Sequence, residues 1–173
     1  ITGNIFITSA FSDDTLLLGP DSLFKSGSDT ASSFSNAYIL KLDPAGNHLW
    51  SRQIKGEYNK GAHIAAPAIA LDPFGNSYIG STLRCCIDSL YIDIGNIART
   101  DTTWMTLFYV VKLDPNGNYI WQQTIDSIGG YGYDYDIIVD INGSCIINCE
   151  GNPPTTIGVG PDTIISGAGV VLA

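Results

Sequence analysis

Basic side chains are scarce in this sequence. Eight Lys and Arg stand against seventeen Asp and Glu, for a formal net charge of −9. No basic stripe runs along the chain, which argues against a nucleic-acid partner, since phosphate binding needs clustered cations. Charge of either sign is thin at 14% of residues. An acidic, lysine-poor surface reads as the solubility feature of an exported protein rather than as a binding site. No apolar run approaches the ~20 residues that cross a bilayer as a helix. No signal peptide is visible at Ile1. Long Ala/Leu/Glu/Lys stretches are missing, so long helices are not expected.

Metal-binding spacing is missing too. The four cysteines, Cys85, Cys86, Cys145 and Cys149, form no Cys-x-x-Cys pair, and the two histidines lie far from them in sequence. This argues against a zinc site. In one extended strand Cys145 and Cys149 stand roughly 13 Å apart, too far to pair with each other. A bond from the Cys85–Cys86 pair to Cys149 and four free, buried thiols both stay open.

What is present is turn chemistry. The 173 residues are 45% apolar and carry nineteen Gly and eight Pro, enough for one domain with a core built from short elements. One turn is written four times: Asp43-Pro44-Ala45-Gly46-Asn47, Asp72-Pro73-Phe74-Gly75-Asn76, Asp114-Pro115-Asn116-Gly117-Asn118 and, degenerated, Asp140-Ile141-Asn142-Gly143-Ser144. Each sits between apolar runs. The Asp side chain bonds the backbone ahead of it, Pro sets φ, and Gly supplies the left-handed position of a bulged hairpin.

The sequence repeats around these turns. Ala37–Ile54 laid on Phe108–Ile125, an offset of 71, gives nine identities in eighteen positions, Lys41 on Lys112 and Trp50 on Trp121 among them. Gly3–Ile7 matches Gly75–Ile79 and then Gly143–Ile147, and Leu18–Leu23 matches Val159–Ile164. The complete copy has four expected strands, at Ile64–Leu71, Ser77–Leu83, Leu107–Leu113 and Tyr119–Ile125, rich in β-branched and aromatic residues. The segment Arg84–Thr106 is the variable part. Its earlier counterpart, Ser12–Asn36, is expected to form an edge ribbon from Leu16–Leu18 and Leu23–Lys25 around Gly19-Pro20-Asp21.

Four antiparallel strands repeated head to tail describe an all-β fold of β-propeller blades. The expected division is a partial first blade over 1–63, a complete second blade over 64–126 and a partial third blade over 127–173. About two and a half blades cannot close a ring of four to eight, so the others are expected elsewhere in the polypeptide or in a partner chain. The first residues, Ile1-Thr2-Gly3-Asn4, read as the back half of an Asp turn, so the chain is expected to be a fragment. An open β-sandwich of two hairpin pairs is the alternative architecture.

The segments Ala37–Trp50 and Ile69–Ile79 resemble the SBBP-type β-propeller repeat in its Bacteroidota form. That repeat reads Lys-Leu-Asp-x-x-Gly-Asn-x-x-Trp and then Ile-Ala-Val-Asp-x-x-Gly-Asn-x-Tyr-Val-Thr-Gly. The chain departs where Thr-Gly becomes Gly80-Ser81 and Asn148-Cys149, and where the fourth turn loses Pro and Asn. The resemblance implies an exported or surface protein of the kind that often ends in a type IX secretion sorting domain. It carries no catalytic residues, and none are assigned here.

The candidate site residues are few. The Asp turns resemble calcium loops, yet such loops need six to eight converging oxygens, and each Asp and Asn here serves a hairpin. Tyr133-Asp134-Tyr135-Asp136 with Asp140 is the densest acidic cluster and reads as the approach to a strand. His48 and His63 have no neighbouring Ser or Cys with an Asp in sequence, and His48 falls on Tyr119 in the repeat. Trp50 and Trp121 recur at one position, which suits packing better than sugar stacking. Trp104, in the variable segment, has no counterpart and is the aromatic placed for partner contact. The expected protein is therefore no enzyme, with no catalytic, cofactor-binding or metal residues and no cofactor. It is a non-catalytic extracellular or cell-surface scaffold for adhesion or protein contacts, with a protein or surface glycan as partner. The alternatives are a carbohydrate-binding module and part of a propeller enzyme with its site in the central channel.

Overall fold

The computed structural model describes residues 3–24, 36–58, 63–64, 67–84, 87–92, 95–98, 106–125, 135–149, 157–159, 162–164 and 170–172. All elements among these residues are β-strands, as composition and turn chemistry require, and no helix is long and apolar enough to cross a membrane. In chain order they are β1 (Ile5–Phe11), β2 (Thr15–Leu18), β3 (Asp21–Phe24), β4 (Asn36–Leu42), β5 (His48–Tyr58) and β6 (His63–Ile64). Then come β7 (Ala68–Leu71), β8 (Ser77–Arg84), β9 (Ile87–Ile92), β10 (Gly95–Ala98), β11 (Thr106–Leu113) and β12 (Tyr119–Ile125). The last are β13 (Tyr135–Val139), β14 (Cys145–Cys149), β15 (Ile157–Val159), β16 (Asp162–Ile164) and β17 (Val170–Leu172).

The strands fall into two compact units, one of Ile1–Pro67 with Arg84–Trp104, the other of Ala68–Leu83 with Met105–Ala173. The variable segment Arg84–Trp104 thus joins the first unit, although the repeat register places it within the second copy. Strand pairing is the reason: β9 adds antiparallel to β5, from Ile54 opposite Ile92 to Tyr58 opposite Ile87.

In the first unit the sheet runs β1-β4-β5-β9-β10. Cross-strand neighbours share a face, so the register assigns the faces. Phe6, Lys41 and Trp50 lie across from one another, as do Ala10, Ala37 and Ile54. Ala37, Ile39 and Ile54 on this face are buried, each Ile contributing about 1.5–3 kcal/mol through burial. The opposite face carries His48, Ser51 and Gln53, and the β2–β3 hairpin packs on it: the Gln53 side-chain amide donates to the Phe24 carbonyl at 2.7 Å. The hairpin expected as an edge ribbon does form, with Leu18 opposite Asp21 and Gly19 at a φ of +63°. It is a two-stranded sheet of its own that packs on the face instead of extending an edge.

In the second unit one sheet runs β12-β11-β8, with β7 paired to β8, and another runs β13-β14-β17. Their facing side chains make the core: Tyr78, Phe108 and Val110 from one sheet meet Ile137, Cys145 and Ile147 from the other. Gly80 marks the closest approach. A Cβ there would stand 2.8 Å from Phe108 Cζ and 3.4 Å from Ile137 Cδ1, so only glycine lets that ring lie down. The β15–β16 hairpin repeats the register of β2–β3, with Val159 opposite Asp162 where Leu18 opposes Asp21.

The four Asp turns form as the sequence predicts, and they divide into two kinds. The β7–β8 and β13–β14 hairpins pair evenly. The β4–β5 and β11–β12 hairpins each carry a bulge, between Lys41 and Leu42 and between Lys112 and Leu113. The bulge admits one extra residue, Leu49 or Ile120, and leaves it exposed. It also shifts the next residue across the strand, so that Trp50 lies opposite Lys41 and Trp121 opposite Lys112.

Candidate functional site

The recurring polar groups gather at the turns. In the first, the Asp43 Oδ1 accepts from the backbone N–H of Ala45 at 2.9 Å and of Asn47 at 2.8 Å, while Oδ2 accepts from the Asn47 side-chain amide at 2.8 Å. Asp114 makes the same three bonds within Asn116 and Asn118. In the degenerate turn Asp140 keeps the two backbone bonds, to Asn142 and Ser144. In all four turns the Gly N–H returns to the Asp carbonyl, and the Gly φ lies between +78° and +88°. Each complete turn thus engages both carboxylate oxygens in its own closure. Among the described residues no three His, Cys, Asp or Glu side chains gather as a metal-ligand group.

These bonds favour the ionised carboxylates. The Asn47 side-chain amide, helped by backbone donors, holds Asp43 below the usual carboxylate range, and the Ser144 backbone N–H leads the same effect on Asp140. Asp72 is the buried member of the set. Burial pushes its pKa up, but the bonds from Asn76 and Phe74 and the charge of Lys112 outweigh that, and the net direction is down.

Asp72 belongs to a cluster. Its Oδ2 lies 2.7 Å from the Asn76 amide nitrogen and 3.6 Å from Lys112 Nζ, with the Asp72 side chain 1% exposed. Lys112 Nζ stands 4.6 Å over the Tyr78 ring, which meets Trp121 edge-on at 5.9 Å. The Tyr78 hydroxyl has one hydrogen, and the Gly143 carbonyl at 3.0 Å takes it in preference to Asp72 Oδ2 at 3.5 Å. That bond ties the Asp140 turn to the Asp72 turn. The first unit builds the same clamp from Phe6, Lys41 and Trp50. There the rings meet edge-on at 6.0 Å, Lys41 Nζ lies 5.2 Å over Phe6 and 5.8 Å from the Trp50 centroid, and Arg52 stacks on Trp50 from 5.7 Å. Both recurring tryptophans are therefore engaged by an aromatic ring, and Trp50 is buried.

The fold also brings together what the sequence keeps apart. His48 Nε2 lies 3.1 Å from Asp21 Oδ2, and the Ser51 hydroxyl donates to that same oxygen. Along the sequence His48 has no neighbouring Ser or Cys with an Asp. The β2–β3 hairpin supplies Asp21 from 27 positions upstream, and the bulge at Leu49 brings Ser51 onto the face of His48. The order of contacts decides the chemistry. In a hydrolytic triad the imidazole stands between hydroxyl and carboxylate and takes the hydroxyl proton. Here the carboxylate stands between Ser51 and His48, so the hydroxyl proton points to Asp21 and not to the imidazole. The cluster fastens the hairpin to the sheet.

Cys145 is a free, buried thiol in the core, and burial pushes its pKa up to about 11. β14 is extended from Cys145 to Cys149, as the argument against their pairing required. Trp104, Tyr133, Asp134, Cys85 and Cys86 lie outside the described residues, as do the side chains of His63, Tyr135 and Cys149. Asp136 is exposed and its carboxylate accepts from the Ile137 backbone N–H at 2.8 Å. Compared with models of known families and with curated proteins, the chain matches none.

Proposed function

We propose that this chain contributes blades to a β-propeller that serves as a non-catalytic extracellular scaffold, holding variable hairpins for contact with a protein or surface glycan. Its likeness to the SBBP-type repeat supports this reading and the export that goes with it. The observation that carries it is the use of the recurring polar groups. Asp, Asn, Lys and Trp return at fixed repeat positions, and in each case they close a turn or clamp strands together. The variable segments, by contrast, are hairpins. β2–β3 packs on a face of the first unit's sheet, and β9–β10 extends that sheet beyond β5. Loops of this kind are where a scaffold carries its specificity.

The test is an activity and binding screen on the intact polypeptide. Protein or glycan capture is expected, with no esterase, peptidase or lyase turnover. Turnover that disappears in Ser51→Ala or His48→Ala, with the fold intact by circular dichroism, would establish an enzyme instead.

A further inference from the structure

We infer that the exposed tips of the Asp72 and Asp140 turns form a docking ridge for a protein segment that carries apolar side chains beside lysine or arginine. The turns differ at their tips. The Asp43 turn shows Pro44 and Ala45, and the Asp114 turn Pro115 and Asn116. The Asp72 turn instead carries Phe74, and the degenerate turn carries Ile141 where the others have Pro. Phe74 is 75% exposed and Ile141 78%, more than any other large hydrophobic side chain among the described residues. Neither serves its turn. Ile141 gives up the preset φ that Pro supplies, and the Phe74 ring stands in water at a position where Ala45 suffices in the Asp43 turn.

The second unit sets these tips together. The Tyr78 hydroxyl, from the strand that follows the Asp72 turn, donates to the Gly143 carbonyl of the Asp140 turn at 3.0 Å. On the other side Gly75 lies against the Asp114 turn, where a Cβ would stand 3.7 Å from Pro115 Cγ. Three turns thus abut, and Pro73, Phe74, Pro115 and Ile141 at their tips are all exposed. Single exposed hydrophobics are ordinary, but several on touching turns make an apolar patch of the kind that marks a contact surface. The recurring Asp, Gly and Asn keep their structural places, and the ridge uses only tip positions at which the copies differ.

Charge selects the occupant. The residues of the second unit hold seven Asp and one Glu against a single basic side chain, Lys112. That cation is already committed to Asp72 and the Tyr78 ring. Asp140 directly precedes Ile141, and its bonds come from backbone N–H groups, which leave the carboxylate charge in place. Such a surface repels phosphates and anionic lipids and attracts a cationic partner. Apolar tips within a negative field therefore match a segment in which leucine or phenylalanine alternates with lysine or arginine. This site deepens the scaffold reading, because it gives a protein partner a place to sit. A titration that reads the ridge alone can fail while contact through the variable hairpins stands.

The probe is a blocked Lys-Leu-Lys-Phe-Lys peptide, titrated into the whole chain and followed by NMR at the amides of Gly75 and Gly143. Saturable shifts at both glycines are expected at low salt, and a version with serine for each lysine is expected to bind about tenfold more weakly. Phe74→Ala takes the residue of the Asp43 turn and Ile141→Pro that of the other three turns, so both variants should keep the circular dichroism of the parent chain. Together they should weaken the peptide about tenfold, and Phe74→Ala alone carries the test if the Pro variant loses its fold. Three results would overturn the proposal: no shift at about 1 mM peptide, equal binding of the serine version, or undiminished binding to the folded variants. Phosphatidylcholine vesicles that pelleted the parent chain but not the variants would also overturn it, by assigning the ridge to a lipid surface.

Discussion

Replacing Asp72 with Ala should cost this protein more than the same change at any other turn, and the structure says why. The carboxylate accepts from two backbone N–H groups at 3.0 and 2.9 Å and from the Asn76 amide at 2.7 Å, all at a side chain 1% exposed. Ala leaves those donors without their acceptor and leaves Lys112, 18% exposed, beside Tyr78 without its anion. Breaking one partner of a buried charge pair costs about 3–5 kcal/mol. The lower end applies, because the 3.6 Å separation exceeds hydrogen-bond length and Lys112 keeps some solvent. We expect about 3 kcal/mol for Asp72→Ala, and about 1–2 kcal/mol for Asp72→Asn, whose amide oxygen still accepts the backbone bonds. Asp43→Ala removes the same turn bonds at an exposed site and should cost clearly less. Urea unfolding of the three variants, read by tryptophan fluorescence, measures this. A double variant with Lys112→Met should recover part of the loss, since no unpaired cation remains. If Asp72→Ala matches Asp43→Ala, the buried cluster contributes nothing beyond the turn, and the reasoning fails.

Gly46→Ala forces a Cβ onto a φ of +86° in open space and should cost about 1–2 kcal/mol of unfolding free energy; Gly143→Ala should cost more, because its Cβ would also meet the Tyr78 hydroxyl at 3.2 Å. Asp43, Asp72 and Asp140 all have lowered pKa values in the fold, so the unfolded chain binds protons first as pH falls. Their stabilisation is complete above the unfolded carboxylate pKa of about 4 and is lost as pH drops through the lower folded values; a urea midpoint already declining between pH 7 and 5 would contradict this. Cys145 should stay unreactive toward a thiol reagent at pH 8 until the chain unfolds, and modification at the rate of an exposed thiol would refute its burial.

Turn chemistry made most of the strand order legible. Asp-Pro-x-Gly-Asn forces a hairpin locally, so the strands flanking Asp43, Asp72, Asp114 and Asp140 are readable without tertiary information. The Gly19-Pro20-Asp21 ribbon is readable for the same reason. The bulges were not marked by the turns themselves, which look alike; they show only in the spacing from Asn47 to Trp50 and from Asn118 to Trp121. Two other features were illegible because they depend on long-range pairing. The addition of β9 to β5 requires knowing which edge lies open. The meeting of Asp21, His48 and Ser51 requires knowing which face the hairpin covers. The Lys41 and Lys112 clamps were half visible: their recurrence was plain, but their place between two rings follows from the bulge.

The proposed role of the recurring Asp turns is architectural, with no ligand bound. A calcium titration followed at the amides of Gly46, Gly75, Gly117 and Gly143 by NMR tests this most directly. Extracellular calcium modules saturate near 0.1–1 mM, so the titration should extend to about 10 mM. Four unchanged resonances are expected throughout. Saturable shifts at two or more of these glycines, abolished by replacing the Asp of the same turn, would contradict it.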